Sequence, residues 1–417
     1  MTSILLKSGT SPFQRVSPVI AFIENAIDTN SGNLLFMHTA HKLLSAPGVQ
    51  VITQGDKIRL HDPKYISENF SRYVIPLSNA FRVSNISNLE NMTSLIEKLT
   101  IPVTILGVGA QAPANYSLSK LSALEKPVRR FVKAVLDHGP SIGVRGELTY
   151  DYLRNLGFRD IEVIGCPSMF YRGPNLSIRK KTARLTHDDP VTLTYSPYVE
   201  DLYDFTVRQY ESFSNIVYIP QNQKDLALLL CGPKPLKIRN KAVHYTYPYY
   251  RDMKALLFLD PRSWMEYLST RSFTFGTRIH GTIASLQAGT PAFLIAHDSR
   301  TLELARYFQI PHILLSDALK DDNPLEWHER ADYTPLMNAL PEKYAIFRNY
   351  MRTHGLDPIF DYPDEVIRYN ETLDGLPFQP PVTGVPSDKR GNTAIQFMKS
   401  WRYKIPAVYK SLHGTHL

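Results

Sequence analysis

Two doubly wound α/β domains facing a central cleft are the fold this sequence predicts, and three observations predict it. The chain has 417 residues, more than one hydrophobic core ordinarily serves, so two cores are expected. Short apolar runs alternate with stretches of helical period from the N-terminus to about residue 315, as strand and helix units on a parallel sheet do. Between residues 171 and 190 the alternation lapses into Gly173-Pro174-Asn175, Arg179-Lys180-Lys181 and His187-Asp188-Asp189-Pro190, the polar, turn-rich composition of an interdomain connection. The domains are therefore drawn at 1–175 and 190–335. Residues 336–417 form a basic C-terminal extension, helical and then irregular.

In the first domain the unbroken apolar run 19–23 reads as the first strand, and Gly32 and Asn33 turn the chain into a helix over 33–44. Strands follow at 49–53, 73–76, 103–108, 141–144 and 161–164. The clearest helix covers 119–137, where Leu121, Leu124, Val128, Phe131 and Val135 recur at three- and four-residue steps and make one apolar stripe. Ser122 and Glu125 have capping-box spacing at its start, close to Pro127. Residues 147–156 read as a further helix, closed by Gly157. The second domain supplies strands at 191–194, 216–219, 242–245, 273–275, 292–295 and 313–315. Past residue 357 the periodicity fades: 377–386 is proline-rich, as linkers are, and 393–412 mixes basic and aromatic residues.

Composition narrows the function. The formal charge of +8 points to anionic small molecules, glycans, nucleic acid or a membrane surface as partners, and charge alone does not choose among them. No apolar run approaches the roughly 20 residues that span a bilayer, and 1–19 lacks the apolar centre of a signal peptide, so a cytoplasmic protein is expected. Cys166 and Cys231 are too few and too far apart for a disulfide framework or a structural zinc site, and both read as buried small apolar residues. The tail around Lys399-Ser-Trp401-Arg402-Tyr403-Lys404 reads either as a peripheral membrane contact or as a helix packing back on a domain. It is short and no nucleic-acid module surrounds it, so no nucleic-acid partner is expected.

The chemistry concentrates at 276–282, Gly-Thr-Arg-Ile-His-Gly-Thr, between the apolar run 272–275 and a helix-like segment. A strand ending in a glycine turn that feeds a helix leaves free N–H groups at the helix start, and Arg278 and His280 add a cation and a proton donor there. Ligands of open α/β sheets sit at the carboxyl ends of strands. Arg145, after the strand at 141–144, has the same placement in the first domain, so one cation from each domain is expected to grip a small anion. The competing role for Arg145 is an ion pair with Glu147 or Asp151. His280 is the expected acid, with Arg278 and Arg145 as clamps. Ile279, Gly281 and Thr282 of the same turn, Asn33 at the first helix, and His297 and Asp298 after the next strand are the expected substrate-binding residues. Residues 107–112 match a loose dinucleotide fingerprint, but Pro113 follows instead of a helix. The sequence has no Asp-x-Asp pair, so a metal-dependent nucleotide-sugar site of that type finds no support, and no metal is expected where guanidinium and helix N–H groups carry the charge.

The block Phe275-Gly-Thr-Arg-Ile-His-Gly-Thr282, with Ala284-Ser-Leu-Gln-Ala-Gly-Thr-Pro291 after it, resembles the signature of the polysaccharide pyruvyl transferase family: an Arg-x-His-Gly turn, a helix, and Gly-x-Pro before the next strand. Asn30-Ser-Gly-Asn33, Gly107-Val-Gly109, Val144-Arg145 and Trp264 agree in order, so the resemblance covers roughly 18–330. Many relatives carry Asp-Pro where this chain has Gly165-Cys166-Pro167. The resemblance implies two Rossmann-like domains similar to the GT-B glycosyltransferases. It also implies transfer of pyruvate from phosphoenolpyruvate to a sugar acceptor, lipid-linked or polymeric, as a cyclic ketal, with no cofactor beyond that donor. A nucleotide-sugar glycosyltransferase and a glycan-binding protein without chemistry are the alternatives in the same cleft.

Overall fold

The computed structural model describes residues 2–53, 62–112, 118–232 and 240–384. The first half contributes β1 (Thr2–Leu6), β2 (Val49–Thr53), β3 (Arg72–Pro76) and β4 (Val103–Leu106), parallel in the order β2-β1-β3-β4. β5 (Ile142–Val144) and β6 (Ile161–Val163) pair with each other and join β4 through a bridge between Val108 and Val144. The second half contributes β7 (Val191–Thr194), β8 (Ile216–Tyr218), β9 (Leu256–Leu257), β10 (Phe273–Gly276), β11 (Ala292–Ala296) and β12 (His312–Leu314). All but β9 form one parallel sheet, β12-β11-β10-β7-β8, while β9 pairs antiparallel with β13 (Val382–Thr383). β4, β7, β10 and β11 are buried along their whole length; β11 reads as a continuous apolar run, while β4, β7 and β10 also bury threonines. The chain is thus two parallel-sheet α/β halves around one cleft, the GT-B-like arrangement.

Residues 19–23 are not a strand. They belong to the helix Pro18–Ile23, whose Ser17 cap accepts from Ile20 N and whose first position is proline. A five-residue apolar run carries no period, so the cap and the proline decide. The first strand is the terminal Thr2–Leu6. The expected strand at 242–245 is a 3-10 turn, Lys241–Val243, capped by Asn240. The helix expected over 119–137 divides into a 3-10 segment, Leu118–Leu124, and an α-helix, Glu125–Leu136. Its apolar stripe is buried as expected. Ser122 and Glu125 form no capping box, because Leu124 occupies the cap. Cys166 is buried; the side chain of Cys231 and the tail 385–417 lie outside the described residues. Among the described residues, no helix is long and apolar enough to cross a membrane.

Beyond residue 315 the chain returns to the first half. The helix Thr334–Thr353 sends Tyr350 to β4 and β5, where its hydroxyl donates to Ile105 O (2.7 Å) and accepts from Gly143 N (3.0 Å). The halves are also stitched across the cleft floor. Ser31 N donates to Gln221 O (2.7 Å) and Gln223 N to Thr29 O (3.0 Å). Ser299 Oγ accepts from Ala112 N (2.8 Å), and Thr149 Oγ1 donates to Glu303 (3.1 Å).

Gly276 ends β10 at φ 140°, and a Cβ there would lie 2.2 Å from the carbonyl oxygen of Thr194. Backbone cannot yield as a side-chain tip does. Gly276→Ala is therefore expected to cost roughly 3 kcal/mol or more in urea unfolding, combining a forbidden dihedral with a clash in the sheet.

Candidate functional site

Strand order reverses between β1 and β3 in the first sheet and between β7 and β10 in the second, and both reversal points open onto one cavity of about 1270 Å³. That exceeds the usual volume of a single small-ligand pocket, about 300–1,000 Å³. The lining carries six cationic side chains, Lys7, Arg82, Lys98, Arg145, Arg278 and Arg300, against two carboxylates, Asp28 and Asp298. The lining is therefore net cationic, a charge that favours anions.

Its centre is the turn after β10. Thr277 N and Arg278 N both donate to Thr194 O (2.8 and 3.1 Å), tying the turn to the end of β7. Arg278 is the N-cap of the helix Ile279–Gln287, whose first helical bond runs from Thr282 N to Arg278 O (2.9 Å). The amides of Ile279, His280 and Gly281 therefore lack helical acceptors. Arg278 Nη2 donates to Asn222 Oδ1, and Asn222 Nδ2 to the buried Asp225 (2.8 Å), which also accepts from Tyr250 (2.8 Å). This holds one edge of the guanidinium. Nε is buried without a partner among the described residues, as is Gln221 Nε2. Burial pushes the guanidinium below its ordinary value, against Tyr218, Asp225 and Tyr198, which favour the charge. It remains cationic at neutral pH.

Arg145 enters from the other half, 2% exposed. Its Nε donates to Gly107 O (2.8 Å) and Nη2 to Leu77 O (3.4 Å), and the guanidinium lies 5.4 Å from the Phe36 ring centre. Among the described residues no carboxylate lies within ion-pair distance, so the alternative pairing with Glu147 or Asp151 is not made. The glycines of the loose fingerprint have a packing reason. A Cβ on Gly107 (φ 74°) would lie 2.5 Å from Gly165 O, and one on Gly109 would lie 3.1 Å from Arg145 Cδ.

His280 lines the cavity and is 7% exposed, stacked on Phe36 at 6.1 Å. Nε2 faces Cys166 Sγ at 3.8 Å. Burial, then Arg145, Arg300 and Arg278, lower its pKa to about 3, so the imidazole of the unliganded site is neutral.

The remaining expected residues divide. Asn33, Ile279, His297 and Asp298 line the cavity. Gly281 and Thr282 do not. A Cβ on Gly281 would lie 2.7 Å from Thr194 Cγ2, so this glycine serves the helix–strand approach, and Thr282 is fully buried with its hydroxyl on Arg278 O (3.3 Å). Asp298 caps the helix Ser299–Phe308 through Thr301 N (3.1 Å) and pairs with Arg300 (2.5 Å). Burial would raise the Asp298 carboxyl, but Arg300, His297 and Thr301 N outweigh it and hold it below the usual range. His297 Nε2 lies 3.6 Å from the same carboxylate, and burial leaves that imidazole lowered.

Sequence reading missed Arg300 and Arg82. Arg300 sits in the first turn of the helix after β11, the same strand-turn-helix placement that marked Arg278. Arg82 follows β3 in an irregular loop and donates to Asn79 O (3.1 Å), with no sequence signal to mark it. Among the described residues no group of three or more His, Cys, Asp or Glu side chains is placed to hold a metal ion.

A sequence model of the family described as polysaccharide pyruvyl transferase matches residues 30–299, well over half of the chain. No curated protein matches it by sequence. Among solved structures, the S. aureus MnaA–UDP co-structure is 11% identical with a TM-score of 0.46, covering 85% of this chain and 98% of that one. A putative UDP-N-acetylglucosamine 2-epimerase from Listeria monocytogenes is 10% identical with a TM-score of 0.45, covering 84% and 94%.

Proposed function

The chain belongs to the polysaccharide pyruvyl transferase family, and we propose that it transfers pyruvate from phosphoenolpyruvate to a sugar of a cell-surface polysaccharide or its precursor, releasing phosphate. One observation carries the reading: arginines from both halves converge with a histidine on one carboxylate-poor cavity. Phosphoenolpyruvate bears a carboxylate and a phosphate a few ångströms apart, so fixed cations on two sides suit it better than one.

In the proposed reaction Arg278, Arg145 and the amides of the first helical turn bind the donor. The His280 N–H bond breaks as a C–H bond forms at the terminal methylene, leaving the central carbon electrophilic. Two sugar hydroxyls then add there, forming two C–O bonds as the bond to the phosphate oxygen breaks. One hydroxyl proton restores the imidazolium and the other leaves with phosphate or solvent. His297 and Asp298 flank the space left for the acceptor, and Arg300 and the helix amides share the donor's charge. A phosphoenolpyruvate donor implies a cytoplasmic reaction, and a lipid-linked acceptor would bring the enzyme to the inner face of the membrane.

Phosphate release from phosphoenolpyruvate that depends on acceptor tests this. Mass spectrometry of the host polysaccharide with and without the protein should show a gain of about 70 Da per modified unit, the composition of a pyruvate ketal. Turnover of a nucleotide sugar in its place would assign the cleft to a glycosyltransferase, and glycan binding without either turnover to a binding protein. Because guanidinium groups and amides carry the charge neutralisation in this scheme, exhaustive chelation is expected to leave phosphate release nearly unchanged. A strict Mg²⁺ or Mn²⁺ requirement would overturn it.

A further inference from the structure

Cys166 follows β6, is fully buried, and touches His280 without itself lining the cavity. Its Sγ is 3.8 Å from His280 Nε2 and 3.0 Å from Ser168 Oγ. His280 Nδ1 has no partner among the described residues, and His280 lines the cavity. A neutral imidazole carries one N–H, and which nitrogen holds it is set by what the other nitrogen meets. The thiol is a weak donor and a weaker acceptor, so against an imidazole nitrogen it is the donor. We propose that Cys166 is a positioning residue: its S–H donates to His280 Nε2, which fixes the imidazole proton on Nδ1, the nitrogen left to meet the donor anion.

Ser168 completes the device. When His280 takes up a second proton, Nε2 also becomes a donor, and an S–H aimed at it would clash. The Ser168 hydroxyl, 3.0 Å away, offers the thiol another acceptor, so Sγ rotates its hydrogen there and accepts from Nε2–H. The thiol thereby serves both protonation states without adding charge. A carboxylate at this position would add charge and select the other tautomer. It accepts only, so it would pull the proton to Nε2 and present a lone pair on Nδ1 to the anion. It would also partly cancel the charged groups that face His280, namely Arg145 after β5, Arg278 at its own helix cap and Arg300 at the next helix. Phe36, stacked on the ring, contributes no charge.

The inference rests on the proposed role of His280 as the acid, but its test does not. In the full chain labelled with ¹⁵N-histidine, the His280 resonances are identified by their absence from His280→Gln, and the tautomer is read at pH 7 without ligand. Wild type and Cys166→Ser are expected to carry the proton on Nδ1. Cys166→Ala should shift the population toward Nε2–H and weaken phosphoenolpyruvate binding about tenfold, the worth of one hydrogen bond to a charged group. Cys166→Asp should place the proton on Nε2 and move the alkaline limb of the rate profile upward by a pH unit or more. Cys166→Ser controls for folding, since it keeps the donor and nearly the volume. A wild-type imidazole protonated on Nε2, or a tautomer and profile indifferent to Cys166→Ala and Cys166→Asp, would overturn the inference even where His280→Gln destroys activity. An Nδ1–H tautomer alongside full activity of His280→Gln would instead sink the acid role and leave the thiol contact standing.

Discussion

His280→Gln is expected to bind phosphoenolpyruvate and to turn it over about 10²- to 10⁴-fold more slowly, the usual worth of a general acid. Glutamine keeps a donor of similar reach but cannot release a proton. With a pKa of about 3 the unliganded imidazole is almost wholly neutral at pH 7, so the acid form must come from binding. Depression from the ordinary 6.5 corresponds to roughly 5 kcal/mol. A single anionic charge about 4 Å away returns roughly 4 kcal/mol at the effective dielectric of such sites, so a donor with a phosphate and a carboxylate has enough charge to offset the arginines and burial together. In the proposed scheme the donor would thus charge its own acid. Binding at pH 7 should be accompanied by proton uptake, seen when calorimetric heats are compared across buffers of different ionisation enthalpy, and His280→Gln should lose that uptake. The wild-type rate should fall as pH rises above about 7, as the acid form of the complex is depleted, and the mutant's residual rate should not. Unfolding does not mimic this limb. A histidine whose folded pKa is lowered destabilises only as pH falls from 6.5 toward 3, where the unfolded chain binds the proton and the folded one does not. Donor binding abolished by the substitution, or turnover left intact, would move the search for the acid to His297.

Much of this was legible in the sequence, for identifiable reasons. β11 is a bare apolar run buried on both faces, and β4, β7 and β10 are short runs of apolar residues and threonine, the composition of buried strands. Arg278, His280 and Arg145 could be placed because a strand end followed by a helix start fixes where a side chain goes in a parallel sheet. The same reasoning failed at 19–23, where an apolar run short enough for either element was settled by Ser17 and Pro18. At Gly281 and Thr282 no side chain lines the cavity, because in a helix's first turn adjacent residues face different directions and, of the residues 279–282, only Ile279 and His280 line it. Arg82 was beyond reach, since a loop without period gives no direction to its side chains. The Asn222–Asp225–Tyr250 network behind Arg278 was beyond reach as well. It joins residues 222 to 278 across two helix starts, and no local pattern encodes that.

That network makes Arg278→Lys the second large effect expected. The Arg278 guanidinium is anchored at Nη2 by Asn222 while the residue lines a net cationic cavity. A guanidinium can be anchored on one edge and present a planar pair of donors on another. An ammonium on a flexible stem has one centre, and satisfying Asn222 withdraws it from the ligand. The substitution keeps the charge and the long-range field, so encounter with the donor should be little changed, and the loss should fall on bound geometry. Turnover efficiency with phosphoenolpyruvate should drop about 10²- to 10³-fold, comparable to removing one preorganised donor from an oxyanion site. Urea unfolding should report a protein about as stable as the parent, because the Thr194 carbonyl is bonded by the backbone amides of Thr277 and Arg278 and not by the side chain. Asn222→Ala should lose less, since it frees the anchored edge without removing the fork. Near-normal efficiency in Arg278→Lys would mean that charge alone suffices at this position, and the two-sided grip on a carboxylate and a phosphate would then have to be built from Arg145 and Arg300.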